Sequence, residues 1–152
     1  MDNDVIVSIG IPVFNAGKYL GFAIDSVLAQ TFGKFELIIT SDGSFDESVE
    51  IAQRYSDQRI KLIIDDTNRG IPYRLNQQVK LARGRYFARM DADDIMFPDR
   101  IEKQVKYLTD NPDKDVVGTE AVVIDEKNMV IGYRHSNPDF TSHTILKEIL
   151  FI

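Results

Sequence analysis

The chain has 152 residues, no cysteine and two histidines, which excludes disulfide bonds, cysteine nucleophiles, cysteine-ligated zinc and a histidine-rich metal site. Its formal charge of −6 argues against nucleic acid as the main partner, because phosphate backbones are bound by strongly basic faces. With 43% hydrophobic and 28% charged residues it has the composition of one globular domain, and no segment approaches the run of about 18 apolar residues that a membrane span needs.

Strand-like and helix-like segments alternate from the N-terminus. Apolar, β-branched runs predict strands at residues 5–13, 35–40, 60–64 and 86–90. Each is followed by apolar residues at helical spacing: Leu20, Ala23, Ile24, Val27 and Leu28; Val49, Ala52 and Tyr55; Leu75, Val79 and Ala82; Ile101, Val105 and Leu108. Gly84 is expected to end the third helix as its C′ residue. The alternation predicts an α/β fold, a mostly parallel central sheet flanked by helices.

The pattern changes after Asp115. Residues 116–124 and 129–133 flank a polar turn and predict an antiparallel hairpin. An amphipathic stretch then runs to the last residue, with apolar positions at Ile145, Leu146, Ile149 and Leu150. Because soluble chains seldom end on exposed apolar residues, we expect the natural sequence to continue beyond Ile152 and this stretch to promote self-association.

Three aspartates, Asp91, Asp93 and Asp94, follow the fourth predicted strand, where open α/β sheets bind their ligands. Their like charges repel unless a cation or hydrogen-bond donors neutralise them, and carboxylate oxygens suit Mg²⁺ or Mn²⁺. The alternative is a solvated acidic turn that caps the next helix. Spacing alone leaves both interpretations open.

Two other acidic sites fail on the neighbouring residues. A calcium loop that starts at Asp91 would place Glu102 at its twelfth position, but Ile95 and Met96 stand where an oxygen ligand and glycine are needed. A phosphatase of the haloacid dehalogenase type carries Asp-x-Asp after its first strand, followed by Gly-Thr or similar. Here the motif follows the fourth strand and continues into Asp94-Ile95.

Arg89 is unexpected, because central parallel strands are almost wholly apolar. Alternate residues share one side of a strand, so Arg89 and Asp91 are expected to form an ion pair. Contact with a substrate phosphate is the functional alternative.

The sequence lacks the P-loop motif, and no Gly-x-Gly-x-x-Gly follows the first strand. Phe14 could instead stack on a base, and Asp42, after the second strand, could accept a hydrogen bond from a uracil N–H or a ribose hydroxyl. The alternatives are a core phenylalanine and an Asx turn before Gly43. Each residue alone leaves the choice open.

The order and spacing of several motifs carry more weight than any single residue. These motifs are residues 7–15 (VSIGIPVFN), 20–31, 36–44, Asn68-x-Gly70, 82–86 (ARGRY), 91–94 (DADD) and 98–100 (PDR). From about Val5 to Ile152 the chain resembles the family 2 inverting glycosyltransferases of the GT-A fold.

The resemblance implies a nucleotide-sugar site. Pro12 and Phe14 correspond to the positions that contact the base and stack on it, and Asp42 corresponds to the aspartate that hydrogen-bonds uracil. Arg74 lies where some members place an arginine near the nucleotide. Many members have an aspartate at the position of Ser41, a departure that leaves Asp42 in place.

The resemblance also implies a divalent metal, Mn²⁺ or Mg²⁺. Asp93 corresponds to its direct ligand, and Asp91 to the residue on the ribose or on a metal-bound water. In this family the acceptor side and the general base lie beyond the hairpin. Neither Asp139 nor Glu148 matches a family motif, so the catalytic base is unknown and is expected beyond Ile152.

The implied function is transfer of a hexose from a nucleotide-sugar donor, a UDP-sugar, to a hydroxyl of a glycan or lipid-linked acceptor, with inversion, in cell-surface polysaccharide or glycan synthesis. Residues 1–152 would be a nucleotide-sugar-binding domain truncated before the acceptor region, inactive alone. The expected location is cytoplasmic, peripheral at the inner face of the membrane, without a transmembrane segment.

Two rival functions differ in class. A non-catalytic nucleotide-binding or interaction module would also lack a base. A response-regulator receiver is also an α/β fold with an acidic pocket, but its acidic residues follow the first strand, where this chain has Pro12-Val13-Phe14-Asn15.

Overall fold

The computed structural model describes residues 4–135. These residues fall into two compact units that divide between Ile101 and Glu102. The first unit contains β1 (Val7–Val13), α1 (Gly17–Leu28), β2 (Phe35–Asp42), α2 (Ser48–Gln53), β3 (Ile60–Asp65), α3 (Ile71–Leu81) and β4 (Tyr86–Arg89). Helix α4 (Arg100–Asp110) begins in the first unit and continues into the second, which also contains β5 (Ala121–Ile124) and β6 (Val130–Arg134). Between residues 4 and 135, no helix combines the length and apolarity needed to cross a bilayer.

The four strands of the first unit form a parallel sheet in the order β3-β2-β1-β4. Every residue of β1 and β2 is buried, as expected for the interior of a sheet covered on both faces. The chain moves outward from β1 through β2 to β3 and then returns to the other side of β1. This reversal makes a topological switch point between β1 and β4, where ligands bind beyond the carboxyl ends of the strands.

The predicted α/β class, the parallel sheet flanked by helices and the later antiparallel hairpin are confirmed. Helix α1 buries the predicted apolar face, with Leu20, Ala23, Ile24 and Val27 inaccessible to solvent. Strands β5 and β6 pair antiparallel around the turn that starts at Asp125. The apolar stretch at Ile145, Leu146, Ile149 and Leu150, and the acidic residues Asp139 and Glu148, lie outside the described residues.

Two sequence predictions were wrong in the region of α3. The helix buries Arg74 and Gln78, not the predicted apolar face, and Val79 is exposed. Gly84 is not a C′ residue, because α3 ends at Leu81 and Ala82 is its extended C-cap. Polar contacts decide which face is buried: the Gln78 amide nitrogen donates to Thr40 Oγ1 at 2.8 Å.

Gly84 lies at the opposite end of the sheet from the candidate site, where β1 and β2 begin. A Cβ there would stand 2.6 Å from the Ser8 amide nitrogen and 2.7 Å from the Val7 carbonyl carbon. The Gly84 amide donates to Ser8 Oγ at 2.9 Å, and Ser8 Oγ donates to the buried Glu36 carboxylate at 2.7 Å. Arg83 closes this cluster with a 2.8 Å contact to Glu36. Close approach to β1 is therefore the reason for glycine at this position.

The unexpected arginine in the fourth strand also has a structural reason. Within residues 4–135, β4 pairs only with β1, so it is an edge strand of the described sheet and not a central one. Arg89 is its last residue and is exposed.

Candidate functional site

Asp42 is the last residue of β2 and is almost completely buried. Its Oδ1 accepts hydrogen bonds from the Arg69 amide at 2.8 Å and from Arg74 Nε at 2.7 Å, and its Oδ2 accepts one from the Gly70 amide at 2.8 Å. Burial alone would raise the pKa of Asp42, but the Arg69, Arg74 and Gly70 hydrogen bonds outweigh it and hold the pKa below its ordinary value. Asp42 is therefore a carboxylate that anchors the loop before α3.

Arg74 lies on the buried face of α3, and solvent does not reach its side chain. Besides Asp42, it donates to Asp65 Oδ2 at 2.9 Å, Gln77 Oε1 at 3.0 Å and the Thr67 carbonyl at 2.7 Å. Its charge is thus paired with two carboxylates at the ends of adjacent strands, β2 and β3. Arg74 is turned toward the protein interior and fixes the carboxylate of Asp42.

Phe14 follows β1 and is 48% exposed, whereas Pro12 is buried within the strand. Four hydrogen bonds join the segment that runs from Phe14 into α1 to the segment that runs from β2 into α2. Asn15 N donates to Ser44 Oγ at 3.2 Å, and Phe45 N donates to Asn15 Oδ1 at 3.0 Å. Ala16 N donates to Ser48 Oγ and Gly17 N donates to Asp46 Oδ2, both at 2.9 Å. These bonds fix the position from which Phe14 projects.

Phe45 is a residue that the sequence interpretation missed. It is 84% exposed, and its ring meets Phe14 edge to face with 6.0 Å between centroids. Burial of so large an apolar side chain is the usual outcome, so an exposed aromatic pair beyond the carboxyl ends of the strands is informative. The sequence signal was an apolar residue between Ser44 and Asp46 in an otherwise polar turn.

The acidic turn, residues 91–94, follows β4. Asp91 forms the predicted ion pair with Arg89, at 3.0 Å, and the Asp94 amide donates to the Asp91 carbonyl at 3.3 Å. Asp93 is exposed. Partial burial, together with the charges of Asp91 and Asp93, raises the pKa of Asp94. The turn therefore concentrates negative charge that its protein neighbours neutralise incompletely.

Arg100, at the start of α4, lies against this turn. Its guanidinium donates to the Arg89 carbonyl at 3.3 Å, and its Nε is buried without a hydrogen-bond partner in the described chain. Burial lowers the pKa of Arg100, and the charge of Asp94 opposes that shift. The backbone that leads into the turn is thus held from the side of α4.

A divalent metal fits the donor set of this turn only in part. Among residues 4–135, no three carboxylate or imidazole side chains are grouped so that they could hold a metal by themselves. The exposed carboxylates of Asp91 and Asp93 are hard oxygen ligands of the kind that Mg²⁺ and Mn²⁺ prefer. Magnesium sites commonly combine one or two carboxylates with substrate phosphates, so these residues fit a metal that arrives with a phosphorylated ligand.

The structure gathers the predicted residues at the carboxyl ends of the parallel strands, a region that we call the carboxyl edge. Phe14 follows β1, Asp42 ends β2 and Asp91 follows β4, all parallel neighbours. Extending the β1–β4 register from the Gly10–Arg89 pair by two residues places Asp91 beside Pro12. A ligand that spans the ends of β2, β1 and β4 would meet an aromatic ring, a buried carboxylate and the acidic turn in that region.

Known proteins resemble this chain over most of its length. Residues 8–148 match the family model described as glycosyl transferase family 2. The chain is 39% identical over 129 residues to the putative glycosyltransferase EpsE of Bacillus subtilis, covering 83% of this chain and 46% of EpsE. It is 30% identical over 145 residues to an Escherichia coli protein named UDP-Glc:alpha-D-GlcNAc-diphosphoundecaprenol beta-1,3-glucosyltransferase WfgD, covering 95% of this chain and 56% of WfgD. The chain thus spans about half the length of these relatives.

Solved structures show the same fold. Staphylococcus aureus TarS 1–349 in complex with UDP superposes with a TM-score of 0.66 at 25% identity, over 70% of this chain and 33% of the TarS chain. The mannosyltransferase PcManGT of Pyrobaculum calidifontis, in complex with GDP-Man and Mn²⁺, gives a TM-score of 0.65 at 21% identity over 80% of this chain and 36% of its own. The expected GT-A fold is thereby confirmed. On the family match and these relatives, the chain belongs to glycosyl transferase family 2.

Proposed function

We propose that this chain binds the nucleotide-sugar donor of a glycosyltransferase across the carboxyl edge, and that the donor is a UDP-sugar. The observation that carries the proposal is the placement of Phe14, Asp42 and the acidic turn at neighbouring strand ends on both sides of the switch point. A nucleoside diphosphate has a flat apolar base at one end and a charged diphosphate at the other, and this edge offers a partner for each. WfgD carries UDP-Glc in its name and TarS is solved in complex with UDP, which supports uracil as the base.

At the base end, Phe14 presents an exposed ring for stacking, and Asp42 presents a carboxylate fixed by three donors. A carboxylate has about four lone-pair positions, so Asp42 keeps one acceptor position for an N–H of the base. The side chain of Arg74 is fully buried and donates four hydrogen bonds inside the protein, so in this proposal it positions Asp42 and does not itself contact the nucleotide. Pro12 shapes the strand end beneath the base.

At the diphosphate end, Asp93 and Asp91 would hold the divalent cation. The cation, when bound, neutralises the charge that grows on the departing diphosphate. Asp93 is the better direct ligand because it is exposed, whereas Asp91 is engaged by Arg89. The hardness of the carboxylate oxygens favours Mg²⁺ or Mn²⁺ over softer ions.

The proposed reaction transfers a hexose with inversion to a hydroxyl of a glycan or lipid-linked acceptor. The acceptor oxygen bonds to the anomeric carbon, the bond from that carbon to the diphosphate oxygen breaks, and a general base takes the hydroxyl proton. We assign no base among residues 4–135. General base catalysis contributes roughly 10²–10⁴ in rate, so we propose that the 152-residue chain binds the donor and leaves transfer near background.

Calorimetric titration with UDP tests the proposal. Binding is expected with Mn²⁺ or Mg²⁺ and is expected to vanish in EDTA. Asp93→Asn should reduce UDP binding in Mn²⁺ or Mg²⁺ to the level seen in EDTA. Glu50→Gln makes the same charge change at an exposed position of α2 and should bind UDP as the wild type does. Equal heats with metal and with EDTA would contradict the metal role, and no heat under either condition would contradict donor binding.

A further inference from the structure

Arg89 forms an ion pair with the Asp91 carboxylate, which in the proposed function helps to hold the divalent cation. Arg89 Nε and a terminal nitrogen approach Asp91 Oδ1 at 3.1 and 3.0 Å, and that terminal nitrogen lies 3.3 Å from Oδ2. The guanidinium thus lies against both carboxylate oxygens. A guanidinium and a divalent cation both require these oxygens, so they compete for Asp91.

The pair is placed so that it can open. The two side chains are 46% and 44% exposed, and exposed ion pairs hold their partners only weakly. Arg89 is the last residue of β4, which among residues 4–135 pairs with β1, and its side chain is exposed. Arg100 holds the Arg89 carbonyl, which keeps the backbone in place while the side chain moves.

We propose that Arg89 exchanges partners when the donor binds. Without ligand its guanidinium neutralises Asp91, and with cation and donor present it leaves Asp91 and binds the donor diphosphate. Guanidinium groups bind phosphate oxygens through paired N–H donors, so the same fork that holds a carboxylate suits the new partner. Arg89 is then a specificity residue for diphosphate-bearing ligands, and this inference rests on the proposed function.

The exchange predicts two opposite effects of removing Arg89. Asp91 becomes free for the cation, so binding of the cation alone is strengthened. The diphosphate loses a partner, so binding of UDP in the presence of the cation is weakened. A permanent ion pair that only fixes Asp91 predicts weaker binding of the cation and no specific loss for the diphosphate.

The test uses Arg89→Gln with Arg85→Gln as its control. Arg85 carries the same positive charge as Arg89. It lies one residue before β4, at the opposite end of that strand from Arg89, and contacts the ring of Tyr86. The control therefore reports the effect of one lost positive charge at a distance. Thermal unfolding of both variants first shows that each is folded, and Arg89→Lys supplies a charge-conserving variant without the planar fork.

Three ligands are titrated separately: Mn²⁺ alone, UDP with saturating Mn²⁺, and uridine with saturating Mn²⁺. For Arg89→Gln we expect Mn²⁺ affinity to rise about 2–5-fold, in keeping with an exposed ion pair. UDP affinity should fall about 10-fold beyond any change in Arg85→Gln, as for a lost hydrogen bond to a charged group. Uridine affinity should not change, and Arg89→Lys should lie between wild type and Arg89→Gln for UDP.

Weaker Mn²⁺ binding in Arg89→Gln, or UDP affinity equal to that of Arg85→Gln, would overturn the exchange. An equal loss for uridine and UDP would also overturn it, because the effect would then not concern the diphosphate. The wild-type titration distinguishes a failure of this inference from a failure of the proposed function. Absence of UDP binding to the wild type contradicts the proposed function, whereas wild-type binding with an unaffected Arg89→Gln contradicts only the role of Arg89.

Discussion

Arg74 Nε lies 2.7 Å from Asp42 Oδ1, and the two side chains are 0% and 5% exposed. This buried pair joins the inner face of α3 to the end of β2. Charges removed from water are stable only when their hydrogen-bonding capacity is met, and here backbone amides, a second carboxylate and a carbonyl meet it. The carboxylate that we propose for base recognition is therefore held from inside the protein.

Arg74→Met should destabilise the protein by about 3–5 kcal/mol, because it leaves the buried Asp42 carboxylate without its charged partner. Arg69→Met is the matched control: its side chain is about half exposed and its backbone amide, which bonds Asp42, is retained. That variant should lose less than about 1 kcal/mol. Urea unfolding of both measures the difference, and equal losses would show that the buried pair has no special weight.

The free energy of unfolding should fall in acid because two carboxyl groups have lowered pKa values. The hydrogen-bond donors of Asp42 lower its pKa, and the Thr67 amide and Arg74 lower the pKa of Asp65. Such carboxylates bind protons more readily in the unfolded chain than in the folded protein. Their contribution to stability is therefore complete above about pH 4 and is lost as the pH falls through the lowered pKa values of the folded protein. Asp42→Asn removes one of these groups. Urea unfolding between pH 7 and 3 should show a large deficit for the variant at pH 7 that narrows toward pH 3, and parallel curves would contradict the role of Asp42.

Phe45→Ala should weaken UDP binding about 2–10-fold, since edge-to-face aromatic pairs contribute roughly 0.5–1.5 kcal/mol and the contact orients the Phe14 ring. Phe22→Ala removes another exposed phenylalanine, from α1, and should leave UDP affinity unchanged. Titration calorimetry with UDP and with uridine compares the two. If Phe45→Ala binds both ligands as the wild type does, Phe45 has no part in base binding.

Gly84→Ala should cost about 1–3 kcal/mol of unfolding free energy, because the new Cβ meets the backbone of β1 at 2.6–2.7 Å. Gly33→Ala adds the same atom where nothing lies within 4 Å and should be neutral or slightly stabilising. Neither change is at the carboxyl edge, so UDP affinity should be retained in both. If thermal unfolding shows that Gly84→Ala is as stable as the wild type, then β1 and the Gly84 segment can move apart without loss of unfolding free energy.

Apolar periodicity and turn residues were sufficient to predict the succession of strands and helices along the chain, the α/β class and the position of the acidic turn after β4. They failed at α3, because periodicity assigns apolar residues to the buried face and takes no account of partners. Arg74 is buried because Asp42 and Asp65 lie at the adjacent strand ends, and Gln78 because Thr40 lies beneath it. The pairings of Arg74 with Asp42 and of Gln78 with Thr40 join residues 32 and 38 positions apart, and they arise only once the sheet is assembled.

The site was predicted unevenly for the same reason. The sequence motifs identified Asp42, Asp91 and Asp93 as candidates. The burial of Arg74, however, depends on carboxylates at the ends of β2 and β3. The contact of Phe45 with Phe14 depends on the loops after β1 and β2. Arg89 was expected to pair with Asp91 from the two-residue period, and it does. Its exposure agrees with the position of β4 at the edge of the sheet that residues 4–135 form, and sequence periodicity alone does not indicate that position.

The most direct measurement is a map of backbone amide shifts in a ¹⁵N-labelled sample of the protein titrated with UDP and Mg²⁺, followed by line broadening when Mn²⁺ replaces Mg²⁺. We predict shifts at Phe14, residues 42–45 and 69–70 and the acidic turn, with the strongest Mn²⁺ broadening at Asp93. The opposite end of the sheet, where Ser8, Glu36 and Gly84 meet, should be unaffected. Shifts that concentrate at that opposite end, or Mn²⁺ broadening that spares the acidic turn, would contradict a donor site at the carboxyl edge.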